Sequence, residues 1–219
     1  MRDKIKIILV DDHNLFRESL SFLLSKSKNI EVMAEAENGE VFLDILDTKL
    51  PDVVLMDINM PKIDGIEATK KALELYPQLK IIALSMNGDE AYYYKMIQAG
   101  AKGFVLKKAS SDELEEAILT VINGNDFFSP ELMKSIIINF GTTKKIITEK
   151  ETKFVHFTNR ENEVLKLICD GLTTKEISNR LYISIRTVEG HKSRIMDKLN
   201  AQNTANIIIQ AIKNKLIEI

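Results

Sequence analysis

Five short apolar runs, Ile5–Val10, Glu31–Glu35, Val53–Met56, Ile81–Leu84 and Gly103–Leu106, recur at similar spacing through the first half of the chain. Between them lie stretches with helical periodicity: Leu15–Leu24, Glu40–Leu50, Ile66–Tyr76, Ala91–Ala99 and Leu114–Ile122. This alternation leaves few folds open. Parallel strands need a long crossover between them, a helix supplies it, and helices then cover both faces of the sheet. The run Val53-Val54-Leu55-Met56 has no polar alternation, as befits a strand buried on both faces. Helix-boundary signals agree. Ser110-Ser111-Asp112-Glu113 matches a capping box, and Gly100 and Gly124 fall where the fourth and fifth helices should stop.

Parallel strands share a direction, so the residues that end them emerge on one edge, where open α/β sheets bind their ligands. The first strand ends in Asp11-Asp12, the third in Asp57, the fourth in Ser85 and the fifth in Lys107. Taken alone, Asp57 could merely cap the following helix. Three carboxylates together repel one another and raise each other's pKa unless a cation intervenes. A hard divalent ion such as Mg²⁺ suits such oxygen ligands. Lys107 and Ser85 beside the cluster suit a phosphoryl group, one supplying positive charge and the other a hydrogen bond.

These motifs, Val10-Asp11-Asp12-His13, Leu55-Met56-Asp57-Ile58-Asn59-Met60-Pro61, Asp64-Gly65, Ala83-Leu84-Ser85 and Ala101-Lys102-Gly103-Phe104-Val105-Leu106-Lys107, resemble those of a response-regulator receiver domain. The resemblance implies a flavodoxin-like five-stranded parallel sheet in the order 2-1-3-4-5 and a phosphorylated Asp57. It implies Mg²⁺ held by Asp11, Asp12, Asp57 and the backbone carbonyl of Asn59, with Lys107 on the phosphoryl oxygens. Ser85 and Phe104 would be the switch pair, Phe104 turning inward as Ser85 moves; plain core packing is the alternative for Phe104. His13 reads as polar lining and not as a ligand. Tyr92-Tyr93-Tyr94 spans nearly a helical turn, so at least one ring should be exposed, either as a partner surface or as a scattered aromatic.

Residues 1–125 carry 15 Lys and Arg against 21 Asp and Glu, a net of −6, whereas residues 126–219 carry 15 against 11, a net of +4. A basic second half hints at a nucleic-acid partner. Between the halves, residues 126–153 read as a connector. Ser129-Pro130 opens a short helix with Leu132, Met133, Ile136, Ile137 and Phe140 on one face, and a polar tether, Thr142–Lys153, follows. The single Cys169 sits in an apolar run as a small buried hydrophobe; with three scattered His, zinc is excluded. No run approaches the roughly 18 apolar residues of a membrane span, and the N-terminus lacks a signal-peptide core, so a cytoplasmic protein is expected.

Residues 154–219 show four helical patterns and no strand pattern. Thr158-Asn159-Arg160-Glu161 and Thr173-Thr174-Lys175-Glu176 are capping boxes, and Ser184 can cap a third helix, Ile185–Leu199. Two helices joined by a turn of about four residues, the second basic, fit a helix-turn-helix; a charged solvent face on a helical bundle is the alternative. The residues Glu163-Val164-Leu165, Lys175-Glu176-Ile177, Arg186-Thr187-Val188-Glu189-Gly190-His191 and Ile195-Met196-Asp197-Lys198-Leu199 resemble a LuxR-type DNA-binding domain. With the first half, the whole chain resembles a NarL/FixJ-type response regulator. That resemblance implies base-reading positions at Glu189, Gly190 and Ser193, with Arg186 and Arg194 nearby. Lys175, Thr187, His191, Lys192 and Lys198 are expected on phosphates. A sensor histidine kinase, double-stranded DNA and a second copy of the chain when active are the implied partners. Two rivals remain: a regulator that works without phosphorylation, through dimerisation or another ligand, and a Mg²⁺-dependent phosphohydrolase. The second lacks a general acid, because Asn59 stands two positions after Asp57 where haloacid-dehalogenase-type enzymes carry Asp. Slow self-dephosphorylation at most is expected.

Overall fold

The computed structural model describes residues 4–86, 90–128, 156–214 and Leu216. The chain divides into two compact units, Met1–Phe128 and Ser129–Ile219. The expected linker helix and tether fall outside the described residues.

In the first unit strands and helices alternate in the order β1 (Ile5–Val10), α1 (Asn14–Ser25), β2 (Ile30–Ala36), α2 (Gly39–Leu46), β3 (Val53–Asp57), α3 (Gly65–Leu75), β4 (Ile81–Ser85), α4 (Glu90–Ala99), β5 (Gly103–Leu106) and α5 (Ser111–Ile122). The sheet runs β2-β1-β3-β4-β5 with every pairing parallel, as expected. β3 and β4 are buried along their whole length. Alternation divides their side chains between two faces. Ile7, Leu9, Val53, Leu55, Ile82, Leu84 and Val105 pack with Leu24 of α1 and with Leu114, Ile118 and Val121 of α5. Ile8, Val10, Val54, Met56, Ile81 and Ala83 point the other way and are equally buried.

Side-chain caps fix where the helices begin. Asn38 accepts from the Glu40 and Val41 N–H groups, Asp64 from Glu67 and Ser110 from Glu113. α2 stops at Leu46, four residues short of the expected Leu50. There the Thr48 and Lys49 N–H groups and the Thr48 hydroxyl all turn back to the Ile45 carbonyl. Pro51 also disfavours helix at the residue before it. At the other edge, Phe127 pairs beside Gly103 and exchanges backbone bonds with Lys102 and Phe104. Phe127, read from sequence as part of the connector, thus adds an isolated bridge beside β5.

The second unit, among its described residues, is helical: α6 (Asn159–Cys169), α7 (Thr174–Leu181), α8 (Ile185–Leu199) and α9 (Thr204–Lys213). Val164, Leu165, Ile168, Ile177, Val188, Ile195, Leu199, Ile207 and Ile208 form its core. Both expected capping boxes are present, Ser184 caps α8 by accepting from the Thr187 N–H, and Asn203 caps α9. No described helix is long and apolar enough to cross a membrane.

Candidate phosphoryl and nucleic-acid sites

Asp57 ends β3 and is 4% exposed; Asp11, just beyond β1, is 2% exposed. Lys107, just past β5, reaches back between them, its ammonium 2.7 Å from Asp11 Oδ2 and 2.9 Å from Asp57 Oδ2. The second oxygen of Asp57 accepts from the Ile58 N–H at 2.8 Å, which fixes the plane of the carboxylate. Burial is the main influence on Asp57 and pushes its pKa up, helped by the nearby Asp11 charge; the bond and the charge of Lys107 oppose it. Asp57 is therefore a desolvated carboxylate leaning on one cation.

Asp12 is more open, and His13 Nδ1 lies 2.9 Å from its Oδ1 and 3.5 Å from Asp11 Oδ1. Ligand atoms of Asp11, Asp12, His13 and Asp57 all fall within 4.8 Å of one another. His13, read from sequence as lining only, thus shares the mouth of the acidic cluster. Ser85, buried at the end of β4, is tied to Lys107 through the main chain: its carbonyl accepts from the Lys107 N–H at 2.7 Å. Asn59 follows in the loop after β3 and is exposed. The sheet edge therefore gathers Asp11, Asp12, Asp57, Ser85 and Lys107.

Three further residues support this edge, and two of them, Arg17 and Phe16, gave no sequence signal. Arg17 on α1 donates to the Asp11 carbonyl at 2.6 Å and to Glu35 at 3.1 Å, clamping the loop that carries both aspartates. Phe16 places its ring 4.8 Å from the Lys107 ammonium, a cation–π contact. Gly65 matters for what it lacks: a β-carbon there would lie 1.9 Å from the Asp57 carbonyl oxygen. The Asp64-Gly65 pair was visible only as part of a motif.

Phe104 is buried and meets Tyr93 of α4 edge to face, with ring centroids 3.9 Å apart. The expectation of an exposed ring among Tyr92, Tyr93 and Tyr94 is corrected, for all three are half-buried. Tyr93 leans on Phe104, Tyr92 carries Lys95 over its ring, and the Tyr94 hydroxyl accepts from Gln98.

In the second unit α8 buries Val188, Ile195 and Leu199 and turns Arg186, Thr187, Glu189, Gly190, Ser193 and Arg194 to solvent, with His191 and Lys192 half-buried. Lys175 is exposed in the first turn of α7. The Thr187 hydroxyl lies 2.8 Å from that of Ser184, and His191 turns a partnerless Nδ1 into the interior. Nothing would lie within 4 Å of a β-carbon at Gly190, so no packing in this unit requires glycine there.

Lys198, expected on a phosphate, remains exposed and also makes contacts within the unit. Its ammonium binds the buried Glu161 at 2.6 Å and the His156 carbonyl at 3.0 Å, and stands over the Phe157 ring. That bond, first among the causes, holds the Glu161 carboxyl down at about 2. The charge of Lys198 is engaged inside the unit because a buried carboxylate needs a partner. Burial pushes the Cys169 thiol up to about 12, which makes it inert.

Residues 7–119 match the family model described as a response regulator receiver domain, and residues 155–211 that of the bacterial regulatory proteins of the luxR family. The transcriptional regulatory protein DegU of Brevibacillus brevis is 35% identical over 99% of this chain and 97% of its own. The oxygen regulatory protein NreC of Staphylococcus aureus strain JH9 is 37% identical over 98% of this chain and all of its own. Among solved structures, that of two RcsB dimers bound to two parallel DNAs covers 96% of this chain and 99% of its own. It is 25% identical, with a TM-score of 0.56.

Proposed function

The chain belongs to the two-component response regulators that join a receiver domain to a LuxR-type DNA-binding domain, and from that premise we propose that Asp57 is the phosphoacceptor of a regulator that binds operator DNA through α8. The observation that carries this reading is the buried Asp11–Lys107–Asp57 bridge at the sheet edge. A carboxylate oxygen of Asp57 attacks the phosphorus of a kinase phosphohistidine, the P–N bond breaks, and the phosphoryl group passes to Asp57. Phosphoryl transfer asks mainly for positioning and for charge neutralisation on the equatorial oxygens. The Ile58 N–H orients the nucleophile, Lys107 supplies positive charge, and the Ser85 hydroxyl donates to a phosphoryl oxygen once the group is in place.

The donor set fits Mg²⁺, because hard carboxylate oxygens of Asp11, Asp12 and Asp57 lie within one ion's reach of each other. With the Asn59 carbonyl they would hold it, and it would add to the positive charge that Lys107 supplies. The family regulates transcription and is not one of turnover enzymes; with Asn59 in place of a general acid, this chain loses its phosphoryl group only slowly. It works in the cytoplasm, between a sensor histidine kinase and double-stranded DNA. The solved RcsB assembly is one of dimers on DNA, which supports a homodimer as the active form here too. Residues 1–128 act as the receiver, and α8 with Lys175 of α7 meets the duplex. Glu189, Gly190 and Ser193 face base edges with Arg186 and Arg194 nearby, and Lys175, Thr187, His191, Lys192 and Lys198 face phosphates. Incubation with a small-molecule phosphodonor and Mg²⁺, followed by intact-protein mass measurement, should show one added phosphoryl group on the wild-type chain and none on Asp57→Asn. Labelling that persists in the variant would place the acceptor elsewhere.

A further inference from the structure

The second unit leaves two large apolar side chains open to solvent among its described residues: Tyr182, 95% exposed, and Ile185, 47% exposed. They flank Ser184, the cap of α8. Tyr182 closes α7 in the left-handed region, at φ 52° and ψ 44°. In that conformation its N–H donates to the Asn179 carbonyl and the Ile183 N–H to that of Ser178, so the turn is fixed by the main chain. Glycine and asparagine suit such a position; a bulky residue is strained there. The chain follows that preference at the two other left-handed helix ends of this unit, with Gly171 after α6 and Asn200 after α8. At Tyr182 it accepts the strain, and the ring recovers almost no burial in return. Among the described residues of this unit nothing covers the ring, so its use is sought outside them.

The neighbouring surface says what would cover it. Arg180 in the last turn of α7 and Arg186 in the first turn of α8 are exposed on either side of the turn, and Lys175 and Arg194 are exposed further along the same two helices. An apolar protein surface laid over the ring would have to desolvate those cations, whereas a polyanion would pair with them. The turn also runs directly into the N-terminal end of α8, the end a helix-turn-helix carries into the major groove. Resting on the reading of α8 as the recognition helix, we infer that Tyr182 and Ile185 are DNA contacts. The Tyr182 hydroxyl donates to a backbone phosphate at the groove edge, its ring lies against the sugar, and Ile185 meets a thymine methyl group.

The test is Tyr182→Gly in the full-length chain, titrated against a duplex enriched from a random-sequence pool by the wild-type protein. Affinity should fall roughly ten-fold. The thermal midpoint of the C-terminal unit should hold or rise, since glycine relieves the backbone, and the salt slope should not change, since no cation is lost. Tyr182→Asn, also at ease in the left-handed region, should behave alike, and Tyr182→Phe should lose the part owed to the hydroxyl. Wild-type affinity in Tyr182→Gly would overturn the inference. So would a loss of self-association without duplex, which would assign the ring to a second copy. The double variant Lys192→Ala, Arg194→Ala separates the failures. If it weakens binding and Tyr182→Gly does not, only the turn contact is wrong; if neither does, α8 is not the recognition helix.

Discussion

Replacing Gly65 by alanine tests whether the end of β3 is held to sub-ångström tolerance. Gly65 is not among the glycines of positive φ, so alanine meets no backbone strain there, only a collision. Its β-carbon would stand 1.9 Å from the Asp57 carbonyl oxygen, where real contacts keep at least 3.0 Å, and also 2.9 Å from the Asp57 carbonyl carbon. The partners are main chain and cannot rotate away, so α3 or the strand end must retreat by about 1.1 Å. Movement of the strand end carries the carboxylate with it, and its 2.9 Å contact with Lys107 opens towards a distance at which little hydrogen bonding remains. A misplacement of about 1 Å costs roughly 100-fold in rate, and overpacking costs about 1–3 kcal/mol of stability. Phosphorylation by a small-molecule donor with Mg²⁺, followed by intact mass against time, should therefore slow about 100-fold, with a lower melting midpoint for the receiver unit. A rate constant within about three-fold of wild type would refute the reasoning, because ~0.7 kcal/mol of barrier is less than a displaced nucleophile should cost. Gly190→Ala is the matched control: with open space at its β-carbon it should stabilise α8 by about 1 kcal/mol.

Two further outcomes follow from the charges. Asp57 has a folded pKa raised above 3.8, so its ionisation disfavours the folded state as pH rises through and above that value. Asp57→Asn should match wild type in strong acid and melt higher near neutrality; a lower midpoint at neutral pH would contradict the burial argument. Glu161 is the opposite case, lowered from 4.5 to about 2, so its contribution is full above 4.5 and is lost as pH falls towards 2. Lys198→Met should lower the neutral-pH midpoint of the C-terminal unit, flatten that acid limb and reduce the salt slope of DNA binding. A reduced salt slope with unchanged stability would leave Lys198 to the phosphates alone.

The first unit was legible because its signals are local and repeated. Uninterrupted apolar runs at β3 and β4, the cap at Ser110, and carboxylates at strand ends each carry their meaning within a few residues of sequence. What escaped depends on contacts between distant segments. Arg17 reaches Glu35 and the Asp11 carbonyl only because α1 lies across β2, and Gly65 matters only because the loop after β3 folds back on Asp57. Lys198 shows the same limit in reverse. On a helical wheel it sits among basic residues facing solvent, and while it stays exposed its ammonium is paired with Glu161, 37 positions earlier. Residue type and period place a charge on a face, and a buried counter-charge on another helix then gives it a second partner.

Charge bookkeeping at the sheet edge also indicates how the site can act on the rest of the receiver. Asp11, Asp12 and Asp57 bring three negative charges and Lys107 one positive, and in this state the ammonium is shared between two carboxylates. A phosphoryl group on Asp57 replaces one charge by roughly 1.5–2 and sets new acceptor oxygens further out. Lys107 cannot follow those oxygens and keep Asp11 at 2.7 Å. Its displacement is not private, because its N–H is bonded to the Ser85 carbonyl, and Phe104 sits three residues earlier on the same short run of chain. β5 carries only four residues and is paired to β4 through Ala83 opposite Phe104 and Ser85 opposite Leu106. Lys107 and Ser85 are therefore tied to the same strand pair, on which the Phe104 ring lies against Tyr93 of α4 at 3.9 Å. Ser85 and Phe104, the pair expected from sequence to switch together, thus lie on two paired strands, and the Phe104 contact with Tyr93 needs a ring and not a hydroxyl.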